Sequence, residues 1–276
     1  MSCSLVRVKT TDGVELQGLH FPCEHDPRKS IVIHLHGTWG NFYGNSFIDY
    51  FADHYTKNGV SFLTVNTRGH DEGSNTERLE QCIFDINTWV DFALRQGYHK
   101  IILQGHSLGA IKVIYGLLRP YLIPDVNNIT KIILLSPFDV RAFYSSGNSA
   151  LLEEKVNQVE IIAKNNPDAL VPNDIWSMWQ ISAGTFLNLV GPKSEADIFP
   201  FRNNSLQGSP LSKMKIPVFA AIGEKDFAAY PTPREAFNQL QKLNNVKAAF
   251  IAEAPHNFAQ HEPELIEEII NWMQNN

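Results

Sequence analysis

The stretch Ile101-Ile102-Leu103-Gln104-Gly105-His106-Ser107-Leu108-Gly109 decides the fold of this chain. Its first four residues have the composition of a buried strand, and the apolar run from 110 to 118 is typical of a helix. A Gly-x-Ser-x-Gly pattern at such a junction predicts a nucleophile elbow, a sharp turn that lifts the serine above the end of the sheet. Strand and helix approach so closely there that Gly105 and Gly109 have no room for side chains. We therefore expect Ser107 to stand at the carboxyl end of a central strand.

The remaining strands and helices predict an α/β fold with a mostly parallel sheet. Residues 6–10 and 14–20 alternate in hydropathy around the turn Thr11-Asp12-Gly13, which is typical of an antiparallel hairpin. Short apolar strands then alternate with amphipathic helices, and this alternation indicates parallel β-α-β units with helices on both faces of the sheet. The predicted strands of this second part are 31–35, 60–65, 101–104, 131–135, 217–222 and 246–252.

The alternation stops between residues 138 and 212, which is far longer than a crossover between neighbouring strands needs. A helical pattern at 151–164 is followed by prolines and by an apolar segment that contains Trp176 and Trp179. We therefore expect a core made of residues 1–137 and 213–276, with 138–212 inserted as a helical lid.

A serine hydroxyl is a weak nucleophile near neutral pH, so Ser107 requires a histidine base and a carboxylate that orients the base. Asp226 follows the predicted strand at 217–222, and we favour it over Glu224 because it lies deeper in the loop. His256 follows the last predicted strand, where a base is expected, whereas His261 lies at the entry to the final helix. The order Ser107, Asp226, His256 is one in which such triads occur along a chain.

The negative charge that develops on an attacked carbonyl oxygen needs two backbone N–H donors. The elbow supplies one from Leu108, and we expect the other from Thr38, because Gly37 lets the loop after strand 31–35 turn toward the serine. His36 precedes that glycine, and we interpret it as a brace for the loop rather than as a base.

Aromatic residues lie in the two segments expected to frame the site. Core packing is the default interpretation of any one of them, but their clustering also suits an apolar acyl pocket. The candidate substrate-binding residues are Trp39, Phe42, Trp176 and Trp179.

The set Gly105–Gly109, Asp226, His256 and His36-Gly37 resembles the α/β-hydrolase superfamily over essentially the whole chain. Asn66-Thr67-Arg68-Gly69-His70 is similar to the arginine–glycine loop of esterases and lipases, and we expect a structural corner there, with its arginine paired to a carboxylate. Within the superfamily, compact intracellular esterases related to fungal siderophore esterases look most similar. The resemblance implies an eight-stranded sheet and hydrolysis of an ester, thioester or amide through an acyl-enzyme, without a cofactor or a metal.

The amino-acid composition disfavours some classes of binding partner. The 276 residues carry a net charge of −6 and no basic block, which disfavours nucleic acid and anionic membranes. No apolar run approaches the length of about 20 residues that spans a bilayer, and the first residues do not have the pattern of a signal peptide. We therefore expect a soluble, cytoplasmic protein that acts on a small molecule.

Two other functions remain open on the sequence. An apolar lid that excludes water would let an alcohol, amine or thiol take the acyl group, which would make the protein an acyltransferase or a cyclase. A binding protein on a hydrolase fold is the other alternative, because a fold does not establish a function.

Overall fold

The sheet predicted from the sequence is present in the computed structural model, which describes residues 2–25, 29–120, 123 and 126–275. Its eight strands lie in the order β1-β2-β4-β3-β5-β6-β7-β8. β2 is antiparallel to both of its neighbours, β1 and β4, and all other pairs are parallel. The strands are β1 (Ser4–Lys9), β2 (Glu15–Phe21), β3 (Ser30–Leu35), β4 (Ser61–Val65), β5 (Lys100–His106), β6 (Ile129–Leu135), β7 (Val218–Lys225) and β8 (Val246–Pro255).

Helices cover both faces of the sheet, as predicted. They are α1 (Phe47–Lys57), α2 (Cys82–Arg95), α3 (Leu108–Leu117), α4 (Val140–Tyr144), α5 (Ser149–Asn165), α6 (Ala183–Val190), α7 (Pro233–Leu240) and α8 (Glu262–Asn275). Successive strand residues point to opposite faces, so β3 contributes Ile31 and Ile33 to the apolar core with α2 and α3. Its Val32 belongs to the other core, with α1 and α8.

Three strands run further than their sequence pattern predicts. β5 continues to His106, β7 to Lys225 and β8 to Pro255, and the pairing of β7 with β8 is irregular between Gly223 and Lys225. Of the six extra residues of β7 and β8, three are exposed and therefore carry no apolar signal. They bring the chain directly to Asp226 and His256 at the carboxyl edge of the sheet.

The inserted segment between β6 and β7 contains α4, α5 and α6. α5 is slightly longer than the predicted helix because Asn148 caps it, its side-chain oxygen accepting the N–H groups of Ala150 and Leu151. The apolar stretch around Trp176 and Trp179 is irregular rather than helical, and α6 begins only after it.

Within the described ranges, no helix is both long and apolar enough to cross a membrane.

Candidate active site

The nucleophile elbow has the geometry that its sequence predicts. Ser107 lies between β5 and α3 with φ 56° and ψ −120°, a conformation that costs energy for any residue with a side chain. A Cβ atom on Gly105 would overlap the backbone of Gly109, and one on Gly109 would overlap the carbonyl oxygen of Leu35. The two glycines are therefore required by the close contact of strand and helix.

Asp226 and His256 form a hydrogen-bonded pair at the same edge. His256 Nδ1 donates to Asp226 Oδ1 at 2.7 Å, so Nε2 is left as the basic nitrogen of the neutral ring. Burial by itself would raise the pKa of Asp226, but His256, together with the N–H of Ala228, outweighs burial and lowers it. Asp226 is therefore a fixed negative charge at neutral pH.

The alternative residues lie elsewhere. Glu224 is exposed and accepts the N–H of Glu253 at 3.0 Å. His261 contacts Glu264 at 3.3 Å within the first turn of α8, as expected of a residue at a helix entry. Neither belongs to the pair that faces the elbow.

The backbone of His256 is held by two side chains that the sequence analysis did not single out. His106 Nε2 donates to the carbonyl oxygen of His256 at 2.9 Å, and the hydroxyl of Ser136 donates to the same oxygen at 2.8 Å. Burial, and then the neighbouring His256, lower the pKa of His106 to about 3, so its ring stays neutral. The rings of His106 and His256 lie 5.0 Å apart.

Ser107 Oγ makes no hydrogen bond to His256 among the described residues. Nucleophile and base often close this contact only when substrate is bound. What the structure fixes is the position of each group at one edge of the sheet.

The loop after β3 packs directly on the nucleophile. A Cβ atom on Gly37 would lie 2.8 Å from Ser107 Cβ and 3.3 Å from Ser107 Oγ. Across the described ranges, neither Thr38 nor Leu108 has an acceptor for its backbone N–H. Two unused donors therefore flank Ser107, as an oxyanion hole requires.

The same loop is braced from behind. His36 Nδ1 donates to the carbonyl oxygen of Gly37 at 2.8 Å. Trp39, which has φ 59°, donates its N–H to Ser74 Oγ at 2.9 Å. The predicted bracing role of His36 agrees with this geometry.

The four candidate substrate-binding aromatics occupy different places. Trp39 is 38% exposed on the loop beside Ser107, whereas Phe42 is buried, and its N–H is bound by Asn66. Trp176 is buried and stacks on Tyr144, with ring centroids 4.2 Å apart. It belongs to an aromatic cluster in the inserted segment, made of Phe143, Tyr144, Trp176, Trp179 and Phe186.

Trp179 connects this aromatic cluster to the elbow. It lines a small, partly enclosed cavity together with Thr38 and Leu108, the two residues that carry the unused donors, and with Glu77 and Lys112. The volume that the centre of a water molecule can reach in this cavity is about 10 Å³, so the cavity has room for about one water molecule. A roomier cavity of about 620 Å³ opens near Val218 and Val246, at the opposite edge of the sheet where β7 and β8 begin.

Phe227 is a further residue of the site that sequence reasoning missed. It is 60% exposed, and its ring centroid lies 5.0 Å from that of His256 and 6.0 Å from that of Phe143. It therefore connects the Asp226 loop to the aromatic cluster. The sequence feature that could have identified Phe227 is its position directly after Asp226.

The arginine corner has the structural role that the sequence predicts. Arg68 binds Asp85 at 2.9 Å and Asp12 at 2.7 Å. It thereby ties the loop after β4 to α2 and to the hairpin turn, away from the carbonyl that Ser107 would attack.

The chain matches a protein family over residues 14–274, under the description "Protein of unknown function (DUF1749)". Among curated proteins, no sequence matches the chain.

Solved structures with the same fold include several esterases. Est1E from Butyrivibrio proteoclasticus, solved with ferulic acid bound, superposes with a TM-score of 0.69 at 18% identity over 98% of each chain. The siderophore hydrolase EstB from Aspergillus fumigatus gives a TM-score of 0.66 at 16% identity over 94% of each. The Pyrococcus furiosus esterase Pf2001 gives 0.62 at 19% identity, over 99% of this chain and 90% of that one. At these identities the likeness establishes the α/β-hydrolase fold.

Proposed function

The chain belongs to the DUF1749 family and has the α/β-hydrolase fold, and we propose that it is a serine hydrolase that cleaves carboxylic esters of small to medium, partly apolar acids. The observation that carries the proposal is the convergence at one sheet edge of a strained, part-exposed Ser107 and a base whose orientation is fixed. That base is His256, held by Asp226 through the 2.7 Å bond.

In the proposed mechanism, Ser107 Oγ attacks the ester carbonyl while His256 Nε2 takes the hydroxyl proton. A bond forms between Oγ and the carbonyl carbon, and the carbonyl oxygen becomes an oxyanion that accepts the N–H groups of Thr38 and Leu108. His256 then gives the proton to the leaving alkoxide as the ester C–O bond breaks. Asp226 holds the imidazole and stabilises its cationic form throughout.

The second half of the reaction repeats these roles with water as the nucleophile. Water attacks the acyl-enzyme while His256 takes a proton from it, and the proton returns to Ser107 Oγ as the acid leaves. No cofactor or metal is needed for this sequence of steps.

The inserted segment supplies the acyl side of the site in this proposal. Trp179 closes the cavity beside Thr38 and Leu108, so residues 138–212 act as a lid that sets the size of the acyl group. The present cavity holds about one water molecule, so a larger acyl group requires Trp179 to move. Three structural neighbours support ester cleavage: the Pyrococcus furiosus esterase Pf2001, the siderophore hydrolase EstB, and Est1E, which was solved with ferulic acid bound.

The proposal is tested with 4-nitrophenyl esters of increasing acyl length and with a fluorophosphonate probe. We expect turnover and probe labelling in the wild type, and neither in S107A at unchanged thermal stability. Free acid should remain the product when an alcohol or amine is added. Substantial turnover by S107A would contradict the proposal, and transfer of the acyl group to the added nucleophile would favour an acyltransferase.

A further inference from the structure

A buried ion pair that the proposed mechanism does not use lies beneath the oxyanion loop. Lys112 and Glu77 are 1% and 4% exposed, with Nζ and Oε1 2.6 Å apart. Lys112 lies one helical turn after Leu108 on α3 and so shares its face, and side chains lean toward the start of a helix. Its ammonium group therefore leans toward the elbow. Buried ion pairs are often replaceable by apolar residues without loss of stability, so folding alone does not account for this one.

A directed chain of hydrogen bonds leads from Lys112 to the oxyanion loop. Lys112 Nζ donates to Thr67 Oγ1 at 3.0 Å, and an ammonium group can only donate. Thr67 Oγ1 lies 3.2 Å from His36 Nε2, and the Thr67 N–H donates to the same nitrogen at 3.1 Å. His36 Nε2 is therefore the acceptor, and the proton lies on Nδ1, which donates to the carbonyl oxygen of Gly37.

This series of hydrogen bonds ends at the peptide group that carries the Thr38 N–H. The Gly37 carbonyl and the Thr38 N–H belong to one planar trans peptide and point in opposite directions. Gly37 O accepts from His36 at 2.8 Å and from the Gly40 N–H at 3.1 Å. Fixing this oxygen fixes the direction of the N–H, and hydrogen bonds at the oxygen also strengthen the N–H as a donor.

His36 keeps this arrangement over a wide pH range. Burial, and then the Lys112 cation, lower the pKa of His36 to about 3, so its ring is neutral at any pH at which the protein would work. A neutral ring can accept from Thr67 and donate to Gly37 at the same time.

We propose that Lys112, with Glu77 as its counter-ion, is a positioning residue that sets the direction and donor strength of the Thr38 N–H through Thr67 and His36. The inference rests on the proposed function, because it requires that the Thr38 N–H bind the oxyanion. It assigns a positioning role to a charge that contacts no residue of the triad, although Lys112 and Glu77 also line the small cavity beside Thr38 and Leu108.

The matched variants T67V and T67S test the chain of hydrogen bonds at Thr67, which lies between Lys112 and His36. Valine has nearly the shape of threonine without the hydroxyl, and serine restores it. We expect T67V to lower kcat for 4-nitrophenyl acetate about tenfold with little change in KM, and T67S to remain near the wild type. The loss stays below the about 100-fold or more that accompanies removal of an oxyanion donor itself.

The strength with which the site binds an oxyanion is measured directly with a pair of inhibitors. An alkyl trifluoromethyl ketone forms a hemiketal oxyanion with the nucleophile, whereas the matching trifluoromethyl alcohol has no carbonyl group to be attacked and forms no oxyanion. In T67V, the trifluoromethyl ketone should lose affinity by the same factor as kcat, and the alcohol should not. T67V with wild-type kcat and wild-type trifluoromethyl ketone affinity would overturn the proposal.

The contribution of the charge is tested by removing both partners, because Lys112 cannot be replaced alone without leaving Glu77 as an unpaired buried charge. The double variant E77L/K112M keeps the Thr67–His36 contact. We expect it to fold, as judged by thermal unfolding, and to lose about threefold in kcat with a matching loss of trifluoromethyl ketone affinity. A folded double variant with wild-type values for both would overturn the role of Lys112.

Failure of this inference and failure of the proposed function have different signatures. If wild-type Ser107 does not react with a fluorophosphonate, the proposed function fails. If the wild type is labelled and turns over, and the variants match it in both readouts, only the positioning role fails.

Discussion

The candidate site has two sides that are built in different ways. On the sheet side, which consists of the loops after β3, β5, β7 and β8, polar groups are fixed by short hydrogen bonds, and even the carbonyl of His256 has two donors. On the other side, which is the inserted segment that we propose acts as a lid and is called the lid side, the aromatic cluster is joined mainly by ring contacts, such as the stack of Trp176 on Tyr144. Directional bonds set positions to a fraction of an ångström, whereas ring contacts tolerate rearrangement. The sheet side thus suits chemistry, and the lid side suits selection of the acyl group.

The largest expected effect lies on the sheet side. D226N should keep the fold but lower kcat about 10,000-fold, because an amide no longer fixes the tautomer of His256 or stabilises its cation. Steady-state kinetics with 4-nitrophenyl acetate measure the loss. The matched control is E224Q, two residues earlier at the end of β7, where kcat should stay close to the wild type. Equal losses in the two variants would mean that Asp226 was wrongly assigned.

On the lid side, the expected effect of W176A is on stability rather than on chemistry. Trp176 is buried against Tyr144, so its removal should lower the free energy of unfolding by about 3–5 kcal/mol. Urea denaturation gives this value, and kcat for the acetate ester at low temperature should change little. If W176A kept its stability but lost its activity, the result would contradict the division of roles between the sheet side and the lid side.

The sheet side also predicts how stability depends on pH. Burial lowers the pKa of His36 and of His106 to about 3, whereas histidines in the unfolded chain titrate near 6.5. Between these values only the unfolded chain takes up the protons. The free energy of unfolding should therefore fall as the pH drops below about 6.5, by about 1.4 kcal/mol per pH unit for each histidine.

Urea denaturation between pH 7.5 and 5 measures this slope, and H106Q should reduce it while keeping a donor for His256. An H106Q slope equal to that of the wild type would contradict a neutral, buried His106.

The smallest expected effect concerns selectivity. Trp179 lines the small cavity beside Thr38 and Leu108, so W179A should raise the ratio of kcat/KM for the hexanoate ester to that for the acetate ester about tenfold. W39A is the comparison, because Trp39 is exposed and does not line the cavity. If W39A changed the ratio as much as W179A does, the acyl side of the site would lie at the exposed loop instead.

The sheet side was largely predictable because its signals are local. Gly105 and Gly109 flank Ser107 within one turn, and Asp226 and His256 directly follow strands whose apolar patterns are strong. Even there, the exposed ends of β7 and β8 were missed, since exposed residues carry no apolar signal.

The lid side and the buried network were not predictable because they depend on contacts between distant parts of the chain. Lys112 lies in an otherwise apolar helix, and its partner Glu77 belongs to a loop whose position no periodicity reveals. The sequence predicts a helix in the inserted segment only at 151–164 and assigns no secondary structure to the stretch around Trp176, since apolar composition alone does not distinguish helix from packed coil. Phe227 was a neighbour of a predicted residue, but its contacts come from α4 and from the His256 loop.

The central claim, that Ser107 is acylated during turnover, is tested most directly by rapid quenching of the wild type with 4-nitrophenyl acetate followed by peptide mass analysis. The account predicts a burst of nitrophenol close to one per active site and an acetyl group on the peptide that contains Ser107, with neither in S107A. Turnover with the acetyl group absent from Ser107, or present on another residue, would contradict it.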